Sequence, residues 1–307
     1  MRIGINGTGL VQKASIEAIR EDAIAASNEG FSSYWIAEHP TGGFDALTVL
    51  AVIADSVDEI ELGTAIVPTF PRHPMVLAGQ ALTANAATGG RLTLGIGLSH
   101  EVMMAQLGIP FDRPIRHLRE YLSILMPLLE DGKVNFRGET LSCDATVFQA
   151  GRPGPSVVVA ALGPQALRVA GTRTDGTTLA WVGPKTIRNH IVPRLSEAAA
   201  KAGRRSPRVI ATLPVCVTAE PDRIRATISK NLALYGELPS YRAMFEREGV
   251  SAPGELALAG SRQAVAEQIA ALAEAGVTDF AASVFASSRE EYEATRQLLV
   301  GLTEKTV

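Results

Sequence analysis

Eight short apolar runs, rich in β-branched residues and each followed by a longer stretch with helical spacing, constrain this chain more than any other feature. The runs are Ile3–Asn6, Tyr34–Glu38, Glu61–Val67, Arg91–Gly97, Ser156–Ala160, Gly176–Ala180, Val209–Thr218 and Asp279–Phe285. Helical patterns fall at 14–29, 45–57, 74–88, 114–131, 164–172, 185–203, 221–235 and 288–304, with a further one at 261–275 before the last run. A run such as Val157-Val158-Val159-Ala160 has no polar face, which suits a strand of a parallel sheet covered by helices on both sides. Eight such units over 307 residues are what a (β/α)8 TIM barrel requires. The other fold built from this alternation, an open doubly wound sheet, carries an early glycine-rich phosphate turn. The chain has none.

Gly30, Gly203 and Gly276 each follow a helical stretch, where a left-handed residue ends a helix without penalty. The rhythm breaks at 132–155 and 236–260, which read as insertions on one domain spanning 1–307. Net charge is −3 with no basic run, so neither nucleic acid nor an anionic membrane is an expected partner. The opening Arg2-Ile3-Gly4-Ile5-Asn6 is strand-like rather than leader-like, and no apolar stretch approaches the ~18 residues of a membrane span. A cytoplasmic protein is therefore expected. Two cysteines, Cys143 and Cys216, supply no disulfide framework, and no His/Cys/carboxylate spacing suits a metal. None of the six lysines lies in a predicted strand, which argues against Schiff-base chemistry.

In a barrel, chemistry sits at the C-terminal strand ends. The second strand ends in Glu38-His39, a carboxylate beside a group that exchanges protons near neutral pH, or simply a loop histidine. The third runs into Phe70-Pro71-Arg72-His73-Pro74, a rigid turn with a basic tip. The fourth ends Gly95-Ile96-Gly97-Leu98-Ser99-His100, whose glycines admit either a flat ligand or a close helix. After the fifth, Gly163-Pro164-Gln165-Ala166 opens a helix with free N–H groups, an anion site or plain capping.

The order and spacing of these pieces resemble the luciferase-like monooxygenase superfamily, in particular its branch using coenzyme F420, a deazaflavin. The resemblance rests on Ile36-Ala37-Glu38-His39, Leu62-Gly63-Thr64-Ala65-Ile66-Val67 with Arg72-His73-Pro74, and Gly89-Gly90-Arg91-Leu92-Thr93-Leu94-Gly95-Ile96-Gly97. Phe111-Asp112-Arg113-Pro114 with Leu118-Arg119-Glu120-Tyr121-Leu122, and Ala161-Leu162-Gly163-Pro164 with Ala170-Gly171-Thr172-Arg173-Thr174-Asp175-Gly176, extend it over nearly the whole chain.

The resemblance implies a TIM barrel with insertions, acting as a homodimer on a small-molecule substrate by hydride transfer at the deazaflavin C5. It implies that Glu38 and His39 contact the cofactor ring, with His39 as proton donor or acceptor, and that a non-proline cis peptide at Ala65-Ile66 backs the ring. Leu98, Ser99 and His100 fall at further cofactor contacts, and His100 is a second acid–base candidate. Some deazaflavin sugar-phosphate dehydrogenases have glutamate where this chain has His100, which speaks against a sugar-phosphate substrate. Leu162, Gly163, Gln165 and Ala166 match the stretch that binds the cofactor phosphate through backbone amides. Two alternatives stand beside this reading: a monooxygenase using reduced FMN and O₂, and a barrel that binds flavin or deazaflavin without turnover. Substrate choice is expected to lie in the loops after the first, fourth and seventh strands, 236–260 included.

Overall fold

The computed structural model describes residues 1–11, 13, 15–147 and 153–303. Eight parallel strands form the barrel: β1 (Arg2–Asn6), β2 (Ser33–Ile36), β3 (Glu61–Thr64), β4 (Leu92–Gly97), β5 (Ser156–Ala160), β6 (Gly176–Ala180), β7 (Arg208–Thr212) and β8 (Asp279–Val284). Each pairs with the next, and β8 pairs back onto β1 in the register Ile3↔Phe280, which closes the cylinder. Helices including Ile16–Asn28, Pro74–Ala87, Pro114–Glu130 and Pro164–Arg173 surround it, as the periodicity predicts.

The interior is layered. At the N-terminal end Arg208 spans the barrel, donating to Glu61 Oε1 at 2.9 Å, to Asp279 Oδ1 at 2.9 Å and to Thr93 Oγ1 at 3.3 Å. Arg2 adds a second guanidinium to the same two carboxylates. Above this polar plug, Trp35, Val158, Ile210 and Ala281 fill the middle. Two glycines make that packing possible. A Cβ on Gly63 would lie 2.2 Å from the Trp35 ring, and one on Gly95 would lie 1.9 Å from the Thr64 carbonyl oxygen. Polar groups closing one end leave the other for a ligand.

Two predicted strands are broken. The third stops at Thr64 and resumes as Val67–Pro68, with the expected cis peptide at Ala65-Ile66 between the two pieces. The seventh divides at Leu213, and its outer half, Pro214–Val217, pairs with both the end of β8 and a strand at Leu258–Gly260. The break at 132–155 is an antiparallel hairpin, Lys133–Arg137 with Ser142–Thr146; its residues 148–152, like residue 14 of the first predicted helix and residue 304 of the last, lie outside those described. The break at 236–260 contains a helix, Pro239–Glu248, beside a short one at Ala233–Glu237. Among the described residues no helix is long and apolar enough to cross a membrane, and no cluster of metal-binding side chains occurs.

The hairpin is tied down by Glu120, whose carboxylate accepts from the Glu139, Thr140 and Leu141 N–H groups and from the Thr140 hydroxyl. Burial would raise its pKa, but these four donors outweigh burial and bring it down to about 2. One turn earlier on the same helix, His117 stacks on Phe70 with ring centroids 3.9 Å apart, and its Nε2 lies 3.1 Å from Thr69 Oγ1. Burial lowers its pKa to about 4 despite the attraction of Glu120. A depressed native pKa means the stabilisation is complete above the unfolded value near 6.5 and fades as pH falls toward 4. Urea titrations should therefore show wild type losing about 2–3 kcal/mol over that interval relative to His117→Gln. Parallel pH profiles for the two proteins would refute a buried neutral imidazole.

Candidate active site

The C-terminal ends of β2 to β5 converge on one mouth. The chain leaving β2 is held by the Ala37 N–H donating to Thr8 Oγ1 at 3.0 Å and the Glu38 N–H donating to the Ile66 carbonyl at 3.1 Å. In return the Ala65 N–H donates to the Ile36 carbonyl at 2.8 Å. The Ala65-Ile66 segment is thus clamped between β2 and β4, with the Ile66 side chain 3.1 Å from where a Gly97 Cβ would stand.

Glu38 and His39, adjacent in sequence, have different surroundings. The Glu38 carboxylate receives both terminal nitrogens of Arg72, at 2.5 and 3.1 Å, and its Oε2 also accepts the Ala46 N–H at 3.3 Å. Arg72 pairs with Asp45 as well, and Asp45 in turn caps the helix Ala46–Ile53 through the Thr48 N–H. Glu38 is thereby committed to Arg72 rather than extended over the mouth. Its effect is to lock the strand end that carries His39. The His39 ring is half-buried and makes no hydrogen bond to another described residue. Burial lowers its pKa, so it is neutral at pH 7.

Leaving β4, Leu98 packs against the core, and Ser99 adopts φ 62° with its hydroxyl 3.6 Å from Met103 Sδ. A serine held in the left-handed region occurs where surrounding structure over-determines the backbone, commonly at ligand sites. His100 follows, and burial lowers its pKa too. After β5, the Leu162 carbonyl accepts from His190 Nε2 at 2.8 Å, which fixes that histidine as the Nε2-protonated tautomer. Gly163 then begins the helix Pro164–Arg173 without a side-chain cap, leaving the first-turn amides around Gln165 and Ala166 without a side-chain acceptor. A Cβ on Gly163 would meet nothing within 4 Å. An uncapped helix start facing open space is the shape an anionic group needs.

All the residues singled out in the sequence, from Glu38 to Ala166, lie at this one end. The other side of the mouth was not foreseen. Trp181, directly after β6 and at φ 59°, lies 6.0 Å from Tyr235, and Tyr235 and Tyr241 pack on His100 at 6.2 and 5.7 Å between centroids. Asn6 at the end of β1 reaches Thr212 at the end of β7 at 3.5 Å. A signal for Trp181 did exist: Gly183-Pro184 after β6 repeats the Gly163-Pro164 punctuation after β5. Tyr235 and Tyr241 come from helices that no local pattern ties to β4.

The family model for luciferase-like monooxygenase matches residues 3–279. A 5,10-methylenetetrahydromethanopterin reductase from Methanolobus tindarius is 25% identical over 258 residues, which cover 83% of this chain and 78% of the relative. An F420-dependent glucose-6-phosphate dehydrogenase from Beutenbergia cavernae is 32% identical over 216 residues, 66% of this chain and 64% of its own length. Among solved structures, the coenzyme F420-dependent tetrahydromethanopterin reductase of Methanopyrus kandleri superposes with a TM-score of 0.83 at 23% identity, covering 99% of both chains. The chain belongs to the luciferase-like monooxygenase family.

Proposed function

We propose that this protein is a coenzyme F420-dependent oxidoreductase that moves a hydride between the deazaflavin and a small organic substrate. The observation carrying this reading is the half-buried His39 ring, hydrogen-bonded to no other described residue, at the strand end clamped to the Ala65-Ile66 turn. The deazaflavin, when bound, supplies the hydride donor or acceptor carbon, and little else is asked of the protein. Gly163, Gln165 and Ala166 would hold its phosphate through backbone amides, and the Ala65-Ile66 and Leu98–Ser99 backbones would flank its ring. His39 takes the proton from a substrate hydroxyl as the hydride departs, or returns it in the opposite direction. His100 stands as the second candidate for this role. The name of the Beutenbergia cavernae relative supports F420 over FMN as the partner of such a site. A homodimer in the cytoplasm remains part of the proposal, and light scattering checks the dimer.

The test is equilibrium binding of oxidised F420 and of FMN, followed by fluorescence and by melting temperature. A ligand that binds only the native state raises stability by about 2.7 kcal/mol at a hundredfold excess over Kd. F420 should do this and FMN should not; the reverse result moves the protein to oxygen-using flavin chemistry. Gly163→Trp separates site from scaffold. Gly163 has ordinary extended dihedrals and open space, so its replacement should leave the melting temperature of the free protein unchanged while weakening F420 at least about tenfold.

A further inference from the structure

The side of the mouth facing His39 is an aromatic wall, and its composition restricts what sits against it. Tyr235 and Tyr241 pack edge to face at 5.2 Å, His100 lies against both, Trp181 against Tyr235, and Phe245 against Tyr241 at 6.4 Å. The wall is assembled deliberately. On the helix Pro239–Glu248, Tyr241, Met244, Phe245 and Glu248 share the inward face, while Arg242 and Glu246 are exposed. Glu248 latches that helix to the loop after β6, its carboxylate accepting from the Lys185 N–H at 3.1 Å and the Thr186 N–H at 2.7 Å. The Glu248 carboxylate is thus spent on backbone amides, and Lys185 is exposed with its Nζ beside Gly249.

We propose that the substrate is uncharged and largely apolar, a ring-bearing alcohol or carbonyl compound, seated against Trp181, Tyr235, Tyr241 and His100 and excluding phosphorylated molecules. Charge is missing from every group that would sense it. Burial lowers the pKa values of His39 and His100 and raises those of Tyr235 and Tyr241, the last with its tyrosine neighbour adding to the rise. A phosphate ester pressed against this wall would lose its hydration with no cation to replace it. A neutral ring stacks on tyrosine and indole faces instead. The two tyrosine hydroxyls and the His100 imidazole packed on them, none hydrogen-bonded to another described residue, are available for a substrate oxygen. A few polar groups converging on an apolar surface is the usual form of such a pocket. This assignment rests on the mouth being the reaction site, and it departs from the sugar phosphate in the name of one curated relative.

Tryptophan emission tests it directly. The chain has two tryptophans; Trp35 is fully enclosed in the barrel, so an added ligand reports through Trp181. Acetophenone, 1-phenylethanol and glucose 6-phosphate are titrated into the protein with and without F420. The neutral rings should quench saturably and glucose 6-phosphate should not. Tyr235→Ala, at a half-exposed position in a helix with no buried residues, should weaken acetophenone about tenfold, and Trp181→Phe should remove the signal. Tyr241→Phe keeps the ring and loses only the hydroxyl, so it should weaken acetophenone less than Tyr235→Ala does. Saturable binding of glucose 6-phosphate, or acetophenone binding indifferent to Tyr235→Ala, overturns the proposal. Loss of F420 binding with the acetophenone result intact would instead remove the cofactor reading and leave the substrate class standing.

Discussion

His39→Gln is expected to slow F420-coupled turnover by about 10²–10⁴-fold, the usual contribution of a positioned acid–base group. Glutamine keeps a hydrogen-bonding side chain of similar reach but cannot exchange a proton at neutral pH, so F420 affinity should stay near wild type. Single-turnover bleaching of F420 with a substrate found in the ring-compound panel separates the two quantities. The direction of pH dependence follows from the burial of the ring. Because burial lowers the His39 pKa, the neutral form needed to accept a proton persists below pH 6.5, and the acidic limb of substrate oxidation should lie under that value. The same limb should vanish in His39→Gln. Turnover equal to wild type would transfer the role to His100, whose ring also makes no hydrogen bond to another described residue and whose pKa burial also lowers.

Arg208→Met should cost about 3–5 kcal/mol of stability, because it takes from Glu61 and Asp279 the more buried of their two guanidinium partners and leaves only Arg2, whose side chain is 44% exposed. Asp279 is the sharper reporter: its side chain is only 3% exposed. Burial alone would raise its pKa, yet hydrogen bonds and attraction from Arg208, with help from Thr278 and Arg2, lower it. A depressed native pKa stabilises above the ordinary carboxylate range and loses that contribution as pH falls through the native value. In Arg208→Met the sign reverses: the buried carboxylates gain stability on protonation, so the deficit against wild type should shrink between pH 7 and pH 5. Urea unfolding at both values measures it. A deficit under about 1 kcal/mol, or one independent of pH, would mean that solvent reaches the base of the barrel. The effect belongs to the scaffold, so F420 affinity of the folded fraction should be unaltered.

The barrel was legible because its signal is local. Each strand announces itself by a run such as Val157–Val159 that only a doubly covered sheet can bury, and each helix by its spacing. The site residues after β2 to β5 were legible for a related reason, since barrel topology alone puts Glu38, His39, Ser99, His100 and Gly163 at one end. What Glu38 does there was not legible. Its commitment to Arg72 spans 34 positions, and no periodicity records a pairing across two loops. Residues 236–260 broke the regular rhythm and were expected to bear on substrate choice, but nothing in the local pattern showed that Tyr241 faces His100.

The sequence by itself determined the alternation of strands and helices, hence the closed parallel barrel, and the identity of the strand ends that meet at its mouth. Local hydrophobic pattern and backbone chemistry are enough for that, because they act within a few residues of where they are written. Only the tertiary structure decided which polar groups are consumed and which remain free. Arg72 pairs with Glu38 and Glu248 caps a loop helix, while the side chains of His39, His100 and two tyrosines make no hydrogen bond to another described residue. Hydrogen bonding and burial depend on what folding brings within about 3 Å, and that list is set by the packing of distant segments rather than by neighbours in the chain.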